Sequence, residues 1–260
     1  MFLEKIAEIK KEEIRRRKNP SFQKGMEEII SSLPFPRDFV GAISHHAPMA
    51  VIAEIKHASP SAGIIKEGVN LKQLACQYEK GGASAISVLT EPHFFKGEII
   101  HLRQVKEATS LPVLQKDFII DPFQIYEGRT SGADAVLLIA ALLDREQLHD
   151  FVSLARNLSM TPLVEIHNED DLEKTATLEL SLIGVNNRDL RTLRVDLKTT
   201  LRLKREISPG IKVISESGVK SSQDVRLLRE AGIDGILVGE TLMRSPDPAS
   251  KIRELLGNLS

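Results

Sequence analysis

Glu54 and Lys56 lie two residues apart in the stretch VIAEIKHASPSAG (51–63), just ahead of a loop of small residues. In a strand, residues two apart project from the same face, so the two charges sit side by side with Ile52 beneath them. Taken alone, an E-x-K pair is ordinarily an ion pair on a solvated strand face. Here Pro60 ends the ladder, and Ser59, Ser61 and Gly63 form the loop beyond it. Parallel α/β folds place their chemistry at charged strand ends of this kind. Comparable ends recur. Lys116 closes LPVLQK ahead of Asp117 and Phe118, and Thr90-Glu91 follows SVL. Glu165 and His167 close PLVEIH, Asn186 and Asn187 follow IGV, and Glu216, Ser217 and Gly218 follow VIS. Each has a plainer reading as a solvated lysine, a loop histidine or an ordinary turn. Together, two lysines, several carboxylates and an asparagine on one rim would shift one another's proton affinities, which suits acid–base catalysis. Ser217-Gly218 and Gly239-Glu240 are small-residue turns ahead of helices, where backbone N–H groups hold phosphate. Neither is a Walker A loop, so a nucleotide is not indicated. No second histidine stands at metal-ligand spacing with His167, and His45-His46 falls in an irregular stretch, so no metal centre is expected.

The elements that must position these residues follow a repeated unit. Gly82–Leu89, Gly132–Ile139 and Gly232–Gly239 each follow a helical pattern, at Leu71–Lys80, Pro122–Ser131 and Ser221–Ala231. The leading glycine stands where a helix C-cap belongs, and the apolar run after it suits a parallel strand covered on both faces. Val51–Lys56, Pro112–Lys116, Pro162–Glu165, Leu182–Val185 and Lys212–Ser215 supply further strands. Helical patterns at Glu98–Ala108, Arg145–Leu158, Glu169–Thr175, Asp196–Arg205 and near Ala249–Leu256 separate and close the series. Eight strands alternating with helices predict a (β/α)8 barrel, whose strand ends share one face. A doubly wound open sheet is the alternative, but no G-x-G-x-x-G follows the first strand.

Residues 1–50 read as a helical extension packed on a barrel formed by residues 51–260, one domain overall. Leu3, Ile6, Ile9 and Ile14 fall on one stripe of an N-terminal amphipathic helix. Its basic run Arg15–Lys18 is balanced by Glu4, Glu8, Glu12 and Glu13, which reads as a solvated face. Asn19-Pro20 breaks this helix, Pro34 and Pro36 interrupt a second, irregular unit, and Pro36 opens a short helix. A net charge of −1 gives no field to attract nucleic acid or an anionic membrane. The single cysteine, Cys76, lies in a helical pattern and reads as a small buried side chain. No secretory h-region opens the chain, and the longest apolar run, Ala135–Leu143, is too short to span a bilayer. A cytoplasmic protein is expected.

With these stretches in view, the sequence resembles the indole-3-glycerol-phosphate synthase family. IAEIKHASPSAG, SVLTEPHFFKGE, LPVLQKDFIIDPFQI, GADAVLLIAALL, PLVEIHN, IGVNNRDL, VISESGV and GILVGETLM occur in the family's order over residues 51 to about 245. The resemblance implies a (β/α)8 barrel with an N-terminal helical extension. It implies closure of the indole ring of a phosphorylated carboxyphenylamino-deoxyribulose, with loss of CO2 and water and without cofactor or metal. By the same resemblance Lys116 is a general acid at the substrate carbonyl, and Glu165 an acid or base of the dehydration. Lys56 contacts the carboxylate and phosphate and shares the acid role, while Glu54 and Asn186 orient the lysines. Ser59, Glu216 and Ser217 line the site, Phe95 and Phe118 face the aromatic ring, and Gly218, Gly239 and the backbone of Glu240 hold phosphate. Family members often carry serine where this chain has Glu240, so its side chain is expected to point away. Glu91 and Asp117 are expected to hold a lysine charged. The partner is a small phosphorylated substrate, with no nucleic acid or membrane, and the chain is expected to act as a monomer, a homodimer being the alternative. Phosphoribosylanthranilate isomerase and the tryptophan synthase α chain share the phosphate turns. They are not expected to carry E-I-K…S-P-S, L-x-K-D-F and V-E-I-H together.

Overall fold

A computed structural model describes residues 2–18, 20–45 and 49–257, with side chains described for all of these except residues 2 and 20–24. Asn19 and His46, singled out above, lie outside the described residues. Eight parallel strands close into a barrel: β1 (Ala50–Ile55), β2 (Ala85–Leu89), β3 (Val113–Lys116), β4 (Ala135–Ile139), β5 (Thr161–Ile166), β6 (Leu182–Asn186), β7 (Lys212–Glu216) and β8 (Gly235–Val238). Each pairs with its sequence neighbours, and β8 returns to β1. The helices are α1 (Phe2–Arg17), α2 (Pro20–Ser32), α3 (Phe39–Ser44), α4 (Leu71–Gly81), α5 (Ile100–Lys106) and α6 (Pro122–Thr130). They continue with α7 (Arg145–Asn157), α8 (Glu169–Lys174), α9 (Lys198–Leu203), α10 (Ser222–Glu230), α11 (Glu240–Met243) and α12 (Pro248–Leu255).

Alternation along each strand makes two cores. Val51, Ala53 and Ile55, with Val136, Leu138, Val164 and Ile166, face outward against the helices. Ile52, Leu114, Leu137, Leu163, Ile214 and Leu237 fill the barrel. The outer side of every strand is thus as apolar as the inner, which explains the near-continuous apolar runs. The expected glycine caps have the left-handed backbone that ends a helix, at φ 91° for Gly82, 99° for Gly132 and 74° for Gly232. Two residues on, each repeat carries a polar side chain that ties its strand to the preceding one. Ser84 Oγ accepts the Val51 N–H at 3.2 Å, Asp134 the Val113 N–H at 2.8 Å, and Asp234 the Val213 N–H at 2.9 Å.

The first fifty residues are more regular than expected. The second unit is one continuous helix, α2, and its prolines fall after its end. The third helix opens at Asp38 rather than at Pro36, because the Asp38 carboxylate accepts the Gly41 N–H and so caps it. On α1, Ile6 and Ile14 are buried, but so is Lys10, at 2% exposure. Its ammonium lies 2.8 Å from Asp117 and 3.1 Å from Glu13. Lys10, which the predicted stripe did not include, thus belongs to the buried face of α1, because a carboxylate waits for it. Lys18 likewise pairs with Asp121 at 2.9 Å. Thus α1 lies against the C-terminal end of β3, α2 packs on α6, and Arg37 donates to the Thr109 and Leu111 carbonyls just before β3 begins. The extension runs from one mouth of the barrel, along its outside, to the other.

Three further features were not expected. Ala58–Ser59 and Gly63–Ile64 pair as a two-residue hairpin, so Pro60 sits in its turn instead of ending all pairing. A 3₁₀ turn, Ala140–Leu142, ends the apolar run after β4, and α11 is a separate short helix.

Asp134 concentrates the strain of any failure in this frame. It is buried and serves the N–H groups of Arg37 and Val113 and the Lys106 ammonium, the last at 2.6 Å. Asp134→Ala should lower the unfolding free energy by about 2–4 kcal/mol, since it orphans buried donors and a partly buried ammonium together. Urea denaturation checks this as a lower midpoint at unchanged slope.

Candidate active site

The inner alternation set that fills the barrel turns polar at the strands' C-terminal ends. Glu54, Lys116, Glu165, Asn186 and Glu216 all project into one cavity of about 790 Å³. Pairing register brings them together, with Glu165 opposite Gly184 and Asn186 opposite Glu216 across adjacent strands. Two glycines make room for the carboxylates. A Cβ on Gly184 would lie 2.1 Å from Glu216 Oε1, and one on Gly239 would lie 2.2 Å from Glu54 Oε1. Either methyl group would displace a charged side chain.

Lys116 is the hub. Its ammonium lies 3.0 Å from Glu165 Oε2 and 2.9 Å from Glu216 Oε2. Burial pushes its proton affinity down, but the charges of Glu165, Glu216 and Glu54 outweigh this and hold the lysine protonated far above neutrality. Glu165 is drawn the other way. Burial raises it, yet Lys116 and His167 hold it well below the usual carboxylate range. Glu216 is the third member. Burial raises it most, Lys116 offsets that in part, Glu165 adds to it, and its carboxyl is pushed up to about 7. Two buried carboxylates facing one ammonium cannot both be charged without cost, so one of them keeps a proton near neutral pH.

Lys56 forms a second ion pair, 2.7 Å from Glu54 Oε1. Glu54 therefore orients Lys56 directly. Asn186 does not hold a lysine. Its Oδ1 accepts the Arg188 N–H at 3.0 Å, and the residue lines the cavity. Asp117 holds a lysine charged, as expected of it, but that lysine is Lys10, because neighbouring residues leave a strand on opposite faces. Glu91 holds none; its carboxylate accepts the N–H groups of His93, Phe94 and Phe95, at 2.8, 2.7 and 3.0 Å. That turn sets Phe95 beside Phe118, ring centroids 6.1 Å apart, as an apolar wall. Ser59 is buried on the rim, and its Oγ accepts the Ala62 N–H at 3.1 Å.

The opposite wall holds the two small-residue turns. Ser217 and Gly218 have φ of 65° and 93°, consecutive left-handed residues that are strained for the serine. Asn187 Nδ2 pins this turn by donating to the Glu216 and Ser217 carbonyls at 2.9 and 3.0 Å. Gly239 opens α11, and the Glu240 side chain turns to Arg244 at 2.9 Å, so its charge is paired on the rim.

Several lining residues escaped the sequence reading. Lys220 and the Glu240-paired Arg244 line the cavity with Arg188 of the IGVNNRDL stretch, and Leu190, Leu193, Val195 and Leu197 make its outer side apolar. The signal for the latter is present in RDLRTLRVDL, an arginine-rich loop with regularly spaced aliphatics. His167, read as a loop residue or a supporting neighbour of the site rather than a catalyst, lies 3.2 Å from Glu165 Oε1. No group of three or more metal-ligating side chains is found among the described residues. No helix among them is long and apolar enough to cross a membrane.

The position of Glu216 has a measurable consequence. A carboxyl whose folded value near 7 exceeds its unfolded value of 4.5 binds its proton more tightly when folded. Stability contributed this way is present below the unfolded value and is lost as pH rises toward the folded one. Glu216→Gln removes that titration. Relative to the parent it should gain stability between about pH 5 and about pH 8, a trend checked by urea unfolding at both.

The family model described as indole-3-glycerol phosphate synthase matches residues 3–255. The chain is 43% identical over 257 residues to the indole-3-glycerol phosphate synthase of Desulforamulus reducens, covering 98% of this chain and 97% of that one. It is 45% identical over 260 residues to that of Aromatoleum aromaticum, covering 98% of each. Among solved structures, 3-hexulose-6-phosphate synthase from Salmonella typhimurium superposes with a TM-score of 0.63 at 18% identity, over 81% of this chain and 98% of that one, a likeness of fold.

Proposed function

We propose how this chain, which belongs to the indole-3-glycerol phosphate synthase family, divides the family's reaction among its own side chains. The chain is a carboxy-lyase of tryptophan biosynthesis. It closes the indole ring of 1-(2-carboxyphenylamino)-1-deoxyribulose 5-phosphate, releasing CO2 and water. The observation that carries the assignment of roles is Lys116, protonated between Glu165 and Glu216 at the floor of the cavity.

Ring closure requires an aromatic carbon to attack a ketone, whose oxygen gains negative charge. Lys116 stands as the acid for that oxygen. Its two carboxylates make it a weak acid at rest, but the alkoxide forming in front of it is a far stronger base than an amine. Proton transfer thus coincides with charge development, and before that the ammonium polarises the carbonyl electrostatically. Loss of CO2 restores one double bond. Loss of water then needs a proton delivered to the departing hydroxyl and another removed from the ring system. Glu165, held ionised, is suited to take the second, and Lys56 or Lys116 to give the first.

The substrate carries a carboxylate and a phosphate. Lys56 and Arg188 bring positive charge to the wall that receives these anions. The turns at Gly218 and Gly239, with the Glu240 N–H, form the phosphate end. The substrate's aromatic ring lies against Phe95 and Phe118, and Ser59, Ser217 and Asn186 complete the walls. Proton transfer among these groups calls for no cofactor. The reading is of a cytoplasmic enzyme whose partner is this small phosphorylated substrate, with neither nucleic acid nor membrane, acting as a monomer.

Lys116→Ala should cost roughly 10² or more in turnover while circular dichroism stays unchanged. Continuous indole fluorescence measures the rate, and retention of over about a tenth of parental kcat defeats the assignment. Glu165→Gln should lower kcat more than it raises KM. A change confined to KM would instead mark a ground-state binding residue.

A further inference from the structure

His167 follows the last residue of β5 and stands between two carboxylates. Its Nε2 lies 3.2 Å from Glu165 Oε1 and its Nδ1 lies 3.5 Å from Asp171 Oδ2. The ring is mostly buried, its side chain 9% exposed, and Asp171 is buried beside it. Nothing in this arrangement depends on a flexible side chain. Asn168 caps α8 by accepting the Asp171 N–H at 2.9 Å, and the Asp171 carboxylate returns to accept the His167 N–H at 3.0 Å. The capping loop thus fixes Asp171, Asp171 fixes the ring, and the ring's far nitrogen meets Glu165.

A neutral imidazole has one N–H and one lone pair. Between two carboxylates, a lone pair would face an oxygen on one side. Only the imidazolium is attracted on both sides, as an ion pair with each carboxylate. Burial lowers the ring's proton affinity, but Asp171 and Glu165 outweigh it and raise His167 to about 9. The buried groups form an alternating series: Asp171, His167, Glu165, Lys116 and Glu216. Every charged group facing Glu165 belongs to it: Lys116 from β3, Glu216 from β7 and His167 from its own strand end. Glu54 of β1 acts on Lys116 from further off. Lys174 of α8 is turned away, donating to the Ala140 and Leu143 carbonyls.

We propose that His167 is a positioning residue: as an imidazolium bridging Asp171 and Glu165, it holds Glu165 ionised and leaves Oε2 as the oxygen that works on substrate. The proposal rests on the reading of Glu165 as a proton acceptor and extends it. Its physical content is the fate of the Lys116 proton. Lys116 and Glu165 touch, so the shortest path for that proton is onto Glu165, which would neutralise acid and base together. A second cation on the other oxygen makes Glu165 a poorer acceptor, and the proton stays on the lysine until the substrate oxygen takes it. When Lys116 has given its proton, His167 is the cation that still faces Glu165.

The test is His167→Gln, a neutral donor of similar reach, with Glu165→Gln in parallel. His167→Gln should lower kcat about tenfold with KM within about twofold, the size of one buried charged contact. It should also move the acid limb of the kcat–pH profile up by about one unit, because a carboxylate deprived of its imidazolium binds protons more tightly. In nitrogen-15 spectra of the parent, the His167 ring should be doubly protonated at neutral pH. In Glu165→Gln, its titration should fall toward the ordinary histidine value. An unshifted acid limb with kcat within about twofold of the parent overturns the proposal, as does lost thermal stability with an unshifted limb, which marks a structural role only. If Glu165→Gln is inactive while the His167→Gln profile is unmoved, this proposal fails and the reading of Glu165 stands. If Glu165→Gln keeps full turnover, both fail.

Discussion

One ammonium facing two buried carboxylates is the interaction on which the rest of this molecule turns. Lys116, Glu165 and Glu216 come from three different strands, yet the Lys116 ammonium lies within 3.0 Å of an oxygen of each carboxylate. A closed parallel barrel achieves this by register alone: alternate residues of every strand point to the axis, and the last of them reach one common space. The cost of burying such charges is met only while all members are present. The apolar layers below, from Ile52 to Leu237, keep the floor dry and so keep the charges strongly coupled.

The fold was written plainly in the sequence because its signals are local. Glycines that end helices with positive φ, and apolar runs that need covering on both faces, are visible within a dozen residues. The strand ends therefore fell within a residue or two of their expected places. The extension was harder. A lysine on a buried helix face contradicts amphipathic patterning unless its partner is known, and for Lys10 that partner is Asp117, far along the chain. The caps also competed: Asp38 rather than Pro36 starts α3, since a side chain that satisfies a free N–H defines the helix end better than a fixed φ does.

In the site, the identity of the polar set was legible, but its pairing was not. Alternation told that Glu54 and Lys56 share a face, and they touch. It equally implied that Asp117 could not share a face with Lys116, a consequence missed when the two were read as neighbours. Glu165 and Glu216 as joint partners of Lys116 follow from strand order around a closed barrel, which no local pattern contains. His167 was legible as a residue beside the site but not as a cation between two carboxylates, because Asp171 reaches it only once α8 has turned the chain back. Lys220 and Arg244 on the cavity wall were hidden among many surface basic residues.

The route taken by the first fifty residues bears on how the chain comes to be folded. This segment leaves the ribosome before the barrel does, yet Lys10 awaits Asp117, Lys18 awaits Asp121 and the Arg37 N–H awaits Asp134. During synthesis it must wait undocked, an amphipathic tail without a surface, until the third and fourth strands have appeared. Such distant partners raise contact order and slow the final step of assembly. They also make the tail a reporter of assembly: it settles only once the third strand, with Lys116 at its end, is in place.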